Sequence, residues 1–197
     1  MTRTTVVLAV SCLLWSCDSV GPYGSYCSQV PSDNLPASSP SFPSHSASFN
    51  TNDDYAWLGT VIPGCFAGLW LAPVNGKNTL VIGLVDTTQL AAAVDALRTY
   101  EPTYLTNYGQ NGVITQRAKW GFLQLYEWLQ FVESRRPGLW TELGIDVRGN
   151  RVLLGVGSSA DSLTALGVLN SWGAPSDIYT LELSVSCDCD FDNTCGC

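Results

Sequence analysis

The fold is decided by Phe66-Ala-Gly-Leu-Trp-Leu-Ala72, by the pair Asn75-Gly76, and by Thr79-Leu-Val-Ile-Gly-Leu-Val85. Asn-Gly is favoured in two-residue β-hairpin turns, because both central residues of a type I′ turn need a positive φ. Two β-rich runs on either side of such a pair therefore predict an antiparallel hairpin.

A helix and a further strand are expected after this hairpin. Asp86-Thr-Thr88 supplies a helix cap, and apolar residues then recur at i, i+4 and i+7 from Leu90. Because a proline cannot continue a helix, Glu101-Pro102 is expected to end it. Thr103-Tyr-Leu-Thr106 is then predicted as the third strand.

The same order of elements recurs in the second half of the chain. Leu143–Val147 and Arg151–Val156 read as strands, and Arg148-Gly-Asn150 reads as the turn between them. Gly83 and Gly155 occupy matching places, 72 residues apart. The sequence therefore predicts an internal repeat.

A helix capped by Ser158 or Ser159 and a last strand over Ile178–Val185 complete the second half. That helix bears Leu163, Leu166 and Leu169. We therefore expect an α+β fold of two related β-β-α-β lobes, at about residues 60–106 and 139–186, within a domain spanning 54–186.

A longer amphipathic helix is predicted to join the lobes, at residues 115–135. Apolar residues recur there at helical spacing: Ala118, Phe122, Leu125, Leu129 and Val132. We expect this helix to pack across both sheets. A partner-binding groove for its aromatic side chains is the alternative.

The first 16 residues are typical of a signal peptide. The apolar run Val6–Trp15 is shorter than the roughly 20 residues that span a bilayer. Leu14-Trp-Ser-Cys17 resembles the bacterial lipobox, which implies lipid attachment to Cys17. An ordinary cleaved signal peptide is the alternative. The prediction is a lipid-anchored protein of the bacterial cell envelope, with its domain outside the cytoplasm.

Residues 17–53 are predicted to form a disordered tether. Ten Ser and five Pro fall between Ser19 and Ser48, and apolar residues are too sparse there to bury a core. His45, the single histidine, lies in this segment without a visible catalytic partner.

Six cysteines remain for disulfides once the signal peptide and Cys17 are set aside. They are Cys27, Cys65, Cys187, Cys189, Cys195 and Cys197. Disulfides are expected in an exported chain, and Cys27 and Cys65 are left to each other.

The Cys-rich acidic tail 187–197 allows two disulfide ladders across its turn. One joins Cys187 to Cys197 and Cys189 to Cys195; the other joins Cys187 to Cys195 and Cys189 to Cys197. A four-thiolate site for zinc or copper(I) is the alternative. A calcium loop is rejected because Asn193 stands where that loop needs glycine.

Composition and motifs exclude several function classes. Nine Lys and Arg against 17 Asp and Glu give a formal net charge of −8, whereas nucleic acid binding needs a basic face. Gly155-Val-Gly-Ser-Ser-Ala160 matches a dinucleotide pattern, but Asp177 precedes the next strand instead of ending it. We expect no nucleic acid partner, no enzyme activity, no catalytic residue, no cofactor and no resident metal.

Three stretches within residues 60–185 resemble a known family. They are Phe66-Ala-Gly-Leu-Trp-Leu71, Leu80-Val-Ile-Gly-Leu-Val-Asp86 with the Ala-rich helix after it, and Gly144-Ile-Asp-Val-Arg-Gly-Asn-Arg-Val-Leu-Leu-Gly-Val156. These patterns resemble the prodomains of secreted bacterial chymotrypsin-like proteases, of the α-lytic protease and streptogrisin type. The resemblance implies two small lobes that clasp a protease, assist its folding and inhibit it. No protease domain follows here, so binding in trans is implied.

The last strand offers a route for such binding. If it lies at a sheet edge, a partner strand could pair with it. The residues expected to face outward from this strand are Ile178, Thr180, Glu182 and Ser184. An edge covered by the chain itself is the alternative.

The function predicted from the sequence is therefore a non-enzymatic protein-binding module, of the protease-inhibitor or folding-helper type. Its partner would be an exported protease or another envelope protein. The alternative is a structural or metal-binding envelope lipoprotein that acts through its Cys-rich tail.

Overall fold

The structure is a computed structural model that describes residues 51–135, 138–184, 188–189 and 195–196. The predicted signal peptide, Cys17 and nearly all of the predicted tether lie outside the described residues. Thr51–Val61 forms helix α1, so the last three positions of the predicted tether already belong to a helix. None of the helices in the described ranges has both the length and the apolar character needed to cross a bilayer.

The first predicted hairpin is confirmed. Strand β1, Phe66–Val74, pairs antiparallel with strand β2, Lys77–Leu84. Asn75 and Gly76 form the turn with φ angles of 51° and 77°. Both values lie in the left-handed region that Asn and Gly tolerate best, which explains why this pair closes the hairpin.

The connection after this hairpin corrects the predicted third strand. One turn of 3-10 helix at Thr87–Gln89 leads into α2, Leu90–Tyr100, which is followed directly by α3, Pro102–Tyr108. Residues 103–106 are thus helical and do not form a strand. The physical reason is that Pro102 occupies the first turn of α3, where a proline needs no hydrogen-bonded N–H.

The third strand, β3, lies further along, at Val113–Arg117. It therefore occupies the first residues of the predicted linking helix, whose start at residue 115 is wrong. That helix, α4, runs over Phe122–Arg135. Gly121 N donates to Oε1 of Gln124 at 3.1 Å, which caps the helix just before Phe122.

The second unit follows the predicted order. Strand β4, Glu142–Asp146, pairs antiparallel with β5, Arg151–Val156. Helix α5, Ser159–Ser171, comes next, and strand β6, Tyr179–Leu183, pairs parallel with β5. In the tail, β7, Asp188–Cys189, pairs with β8, Cys195–Gly196.

The two units share the register of their parallel strands. Gly83 of β2 lies opposite Gln116 of β3, and Gly155 of β5 lies opposite Glu182 of β6. Each parallel ladder has five pairs, with its glycine pair in the fourth place. The sheet orders β1-β2-β3 and β4-β5-β6 also match. The α+β fold with two related β-β-α-β units is confirmed.

The ends of the two ladders match as well. Ala118 N donates to Leu84 O at 2.9 Å, and Ser184 N donates to Val156 O at 2.9 Å. These bonds continue each parallel ladder by one position. The repeat is therefore reproduced in individual hydrogen bonds as well as in the order of elements.

Helix α4 packs against both units, as predicted. Ten of its residues are buried. Phe122, Leu123 and Tyr126 join the core of the first unit, together with β1, β2, α1 and α2. The core of the second unit takes Leu125, Trp128, Leu129, Phe131 and Val132. Since these aromatic rings are buried, they do not form the open groove that was the alternative.

The leucines of α5 divide between core and solvent, and one predicted orientation in the second unit, that of Ile178, is wrong. Leu163 and Leu166 of α5 are 74% and 37% exposed, and the core is contacted instead by Ala165 and Leu169. Ile178 is 1% exposed and belongs to the core, although it was expected to face outward. It precedes β6 in a turn, so the alternation of side chains along a strand does not extend to it.

Candidate functional site

Strand β6 is an edge strand, which is the condition on which the predicted binding route depends. In the three-stranded sheet of the second unit it lies beside β5. No second partner strand lies on its other side within the described ranges. The backbone groups that β6 directs away from β5 are therefore the candidate site.

The hydrogen bonds at both ends of β6 show which residues point toward β5. Ile178 O accepts from Val152 N at 2.8 Å, and Ser184 N donates to Val156 O at 2.9 Å. Residues bonded to a parallel neighbour alternate along a strand, so Thr180 and Glu182 also bond to β5.

The four residues predicted as the binding edge thus use their backbone groups inside the sheet. Tyr179, Leu181 and Leu183 direct their N–H and C=O groups to the free edge. The sequence could not show this, because the alternation depends on the register with β5.

The residues of β6 whose backbone groups point to the free edge place their side chains on the core side of the sheet. Tyr179 is buried, Leu181 packs against the core, and Leu183, at the end of the strand, is 54% exposed. The side chains of Thr180 and Glu182 lie on the other face of the sheet, where Glu182 is exposed. A strand added at this edge would therefore meet an apolar residue, Leu183, beside the backbone groups.

The edge of β1 differs, because side chains of the chain itself occupy its carbonyl groups. The hydroxyl of Tyr55 donates to Leu69 O at 2.9 Å, and Nη2 of Arg148 donates to Leu71 O at 2.9 Å. Among the described residues, no side chain donates to the outward carbonyls of β6. The two edges are thus distinguished by hydrogen bonding.

A pocket of about 230 Å³ at the junction of the two units is lined by several positively charged residues. Its cationic residues are Arg117, Lys119, Arg148 and Arg151. The ammonium of Lys119 pairs with Asp177 and lies 4.8 Å from the centroid of the Trp120 ring. These contacts hold the cluster where β3 leads into α4.

The structure describes three of the six cysteines that are predicted to form disulfides: Cys65, Cys189 and Cys195. Cys65 is disulfide-bonded, and its predicted partner Cys27 lies outside the described residues, as do Cys187 and Cys197. The pairing of β7 with β8 places Cys189 opposite Cys195, which is the backbone register that the 187–197, 189–195 ladder needs. In the described part of the chain, no three His, Cys, Asp or Glu residues group as metal ligands would.

Comparison with known proteins does not assign the chain to a family. It matches no protein-family model, and no curated protein is significantly similar to it. The resemblance to protease prodomains stays a prediction from strand and turn patterns. The functional argument therefore depends on the geometry of β6.

Proposed function

We propose that this chain is a bacterial cell-envelope lipoprotein whose α+β domain binds another exported protein by strand addition at β6. The observation that carries the proposal is the outward direction of the backbone groups of Tyr179, Leu181 and Leu183. Main-chain hydrogen bonds to such an edge provide affinity, and neighbouring side chains provide specificity.

Exposed apolar residues support this choice of surface. Leu183 ends β6, and Leu163 and Leu166 belong to α5, the helix that packs on β5 and β6. Where such side chains form a contiguous patch, they mark a surface that another molecule covers. The partner we favour is an exported protease, since the resemblance to protease prodomains implies inhibition or assisted folding in trans.

The test is capture of exported proteins on the immobilised, oxidised chain, followed by mass spectrometry. Leu183→Pro removes an N–H that points to the free edge, so a partner held by strand addition should be lost. Arg117→Pro is the matched control, because Arg117 occupies the same register position in β3. A protein retained equally by both variants would contradict strand addition at β6.

The alternative is a structural or metal-binding lipoprotein acting through its Cys-rich tail. Four cysteines within residues 187–197 and the opposed positions of Cys189 and Cys195 support it. A thiol count on the purified chain separates the two proposals. Free thiols with bound zinc or copper favour the tail, whereas fully oxidised cysteines favour the edge strand.

A further inference from the structure

A pocket of about 330 Å³ lies where α3 meets α1 and the first hairpin. Its lining consists of Tyr55, Leu69, Trp70, Leu71, Leu80, Tyr104 and Tyr108. The ring of Trp70 lies against Gly83, on the face of the sheet away from the core. The other aromatic rings of the lining are those of the three tyrosines.

The three phenol groups are held together by their own contacts. The hydroxyl of Tyr55 donates to Leu69 O at 2.9 Å, and the hydroxyl of Tyr104 is hydrogen-bonded to that of Tyr55. The rings of Tyr104 and Tyr108 lie 6.1 Å apart between centroids. Tyr55 is buried and its ring makes T-shaped contacts with Phe66 and Phe122, so Tyr104 and Tyr108 provide the more accessible phenol rings of the pocket.

Two acidic residues are neighbours of Tyr104. Burial raises the pKa of Tyr104, and the neighbouring Tyr55, Glu101 and Asp54 raise it further. Asp54 is buried, and no described residue donates a hydrogen bond to its Oδ2. No described lysine or arginine belongs to the lining, although Nη2 of Arg148 donates to the carbonyl of Leu71. The pocket therefore combines apolar leucines with phenol groups, of which Tyr104 has acidic neighbours.

From this geometry we infer that the pocket binds an alkylammonium cation. The faces of phenol rings carry negative partial charge and attract cations, most strongly where water is excluded. The leucines suit the alkyl part of such a ligand, and the carboxylates of Glu101 and Asp54 favour its positive charge. A formal net charge of −8 on the whole chain draws cations toward it.

The pocket depends on a helix that the second unit does not have between its corresponding strands. Tyr104 and Tyr108 belong to α3, and the second unit passes from β5 to β6 through α5 alone. The pocket lies in the first unit, whereas the proposed binding edge belongs to the second. Each of the two proposals can therefore be tested without altering the residues of the other.

Calorimetric titration of the full exported chain tests the inference with choline and with its neutral isostere 3,3-dimethyl-1-butanol. The two probes have nearly the same shape and differ in charge. We expect choline to bind at least about tenfold more tightly than the alcohol. Equal binding of both would show an apolar pocket without cation preference and would overturn the inference, as would no binding of either choline or Nα-acetyl-lysine amide.

Two matched variants locate the site. Tyr108 and Tyr100 are 45% and 47% exposed, but only Tyr108 lines the pocket. Tyr108→Leu should weaken choline binding several-fold, whereas Tyr100→Leu should leave it unchanged. Equal loss in both variants, or in neither, would contradict the assignment.

A third probe distinguishes two sources of the cation. Nα-acetyl-lysine amide represents a lysine side chain of a protein, and choline represents a free quaternary cation. Tighter binding of the lysine derivative would assign the pocket to a protein partner. Tighter binding of choline would assign it to a small molecule.

Discussion

The side-chain amide of Asn150 is hydrogen-bonded to both the N–H and the C=O of Trp120. Its Oδ1 accepts from Trp120 N at 2.7 Å, and its Nδ2 donates to Trp120 O at 2.8 Å. The same Oδ1 accepts from Lys119 N at 2.9 Å. The turn of the second hairpin is thereby tied to the segment that leads from β3 into α4, and the two units are fixed relative to each other at this point.

Replacing Asn150 by alanine should therefore destabilise the domain. Three hydrogen bonds are lost, each contributing about 0.5–1.5 kcal/mol. A φ of 55° at this position adds about 1 kcal/mol of strain for alanine. We expect a loss of about 2.5–5.5 kcal/mol in the free energy of unfolding, measured with urea. Asn150→Gly loses the same bonds without the strain, so it should be about 1 kcal/mol more stable than Asn150→Ala; the reverse order would contradict this account.

The matching glycines give a second prediction. A Cβ at Gly155 would lie 2.8 Å from Cβ of Glu142, closer than side chains approach, whereas a Cβ at Gly144 would meet nothing within 4 Å. Gly155→Ala should cost about 1–3 kcal/mol of unfolding free energy. Gly144→Ala, in the neighbouring strand, should be neutral or stabilising by up to about 1 kcal/mol. Thermal unfolding of both variants provides the measurement, and equal effects would refute the close approach.

The parts of the fold that follow local rules could be predicted from the sequence. The turn at Asn75 and Gly76 and the cap at Ser158, whose Oγ accepts from Asp161 N at 3.1 Å, are both set by neighbouring residues. The sequence does not predict α3, because a proline can end one helix and can also begin the next. Whether Pro102 also begins a helix depends on whether the residues after it can pack on the rest of the domain in helical form.

The candidate site could be predicted only at the level of an element. The repeat points to the last strand, but whether that strand lies at a free edge is shown only by the strand order β4-β5-β6. Which residues face outward could not be predicted either, because Ile178 lies in a turn before β6 and the backbone directions depend on the register with β5. The aromatic pocket was missed, because residues 103–106 were expected to form a strand.

Stability at alkaline pH should depend on Tyr126. Burial, and then the hydrogen bond from its hydroxyl to Oδ1 of Asp53 at 2.7 Å, raise the pKa of Tyr126 above its usual value of 10.0. The unfolded chain loses this proton first, so the free energy of unfolding should fall as the pH rises above about 10. Tyr126→Phe should make that fall shallower in urea titrations between pH 9 and pH 12. A slope identical to that of the parent chain would count against the proposed cause.

The leucines of α5 provide the last prediction, which tests the orientation of the helix. Leu169 is 1% exposed and lies in the core of the second unit, whereas Leu163 is 74% exposed. Leu169→Ala should cost about 2–5 kcal/mol, since it removes buried methyl groups and leaves a cavity. Leu163→Ser should change the free energy of unfolding by less than about 0.5 kcal/mol. If Leu163→Ser unfolds the domain as readily as Leu169→Ala, the helix presents its other face to the sheet, and Leu163 and Leu166 are not available to a partner.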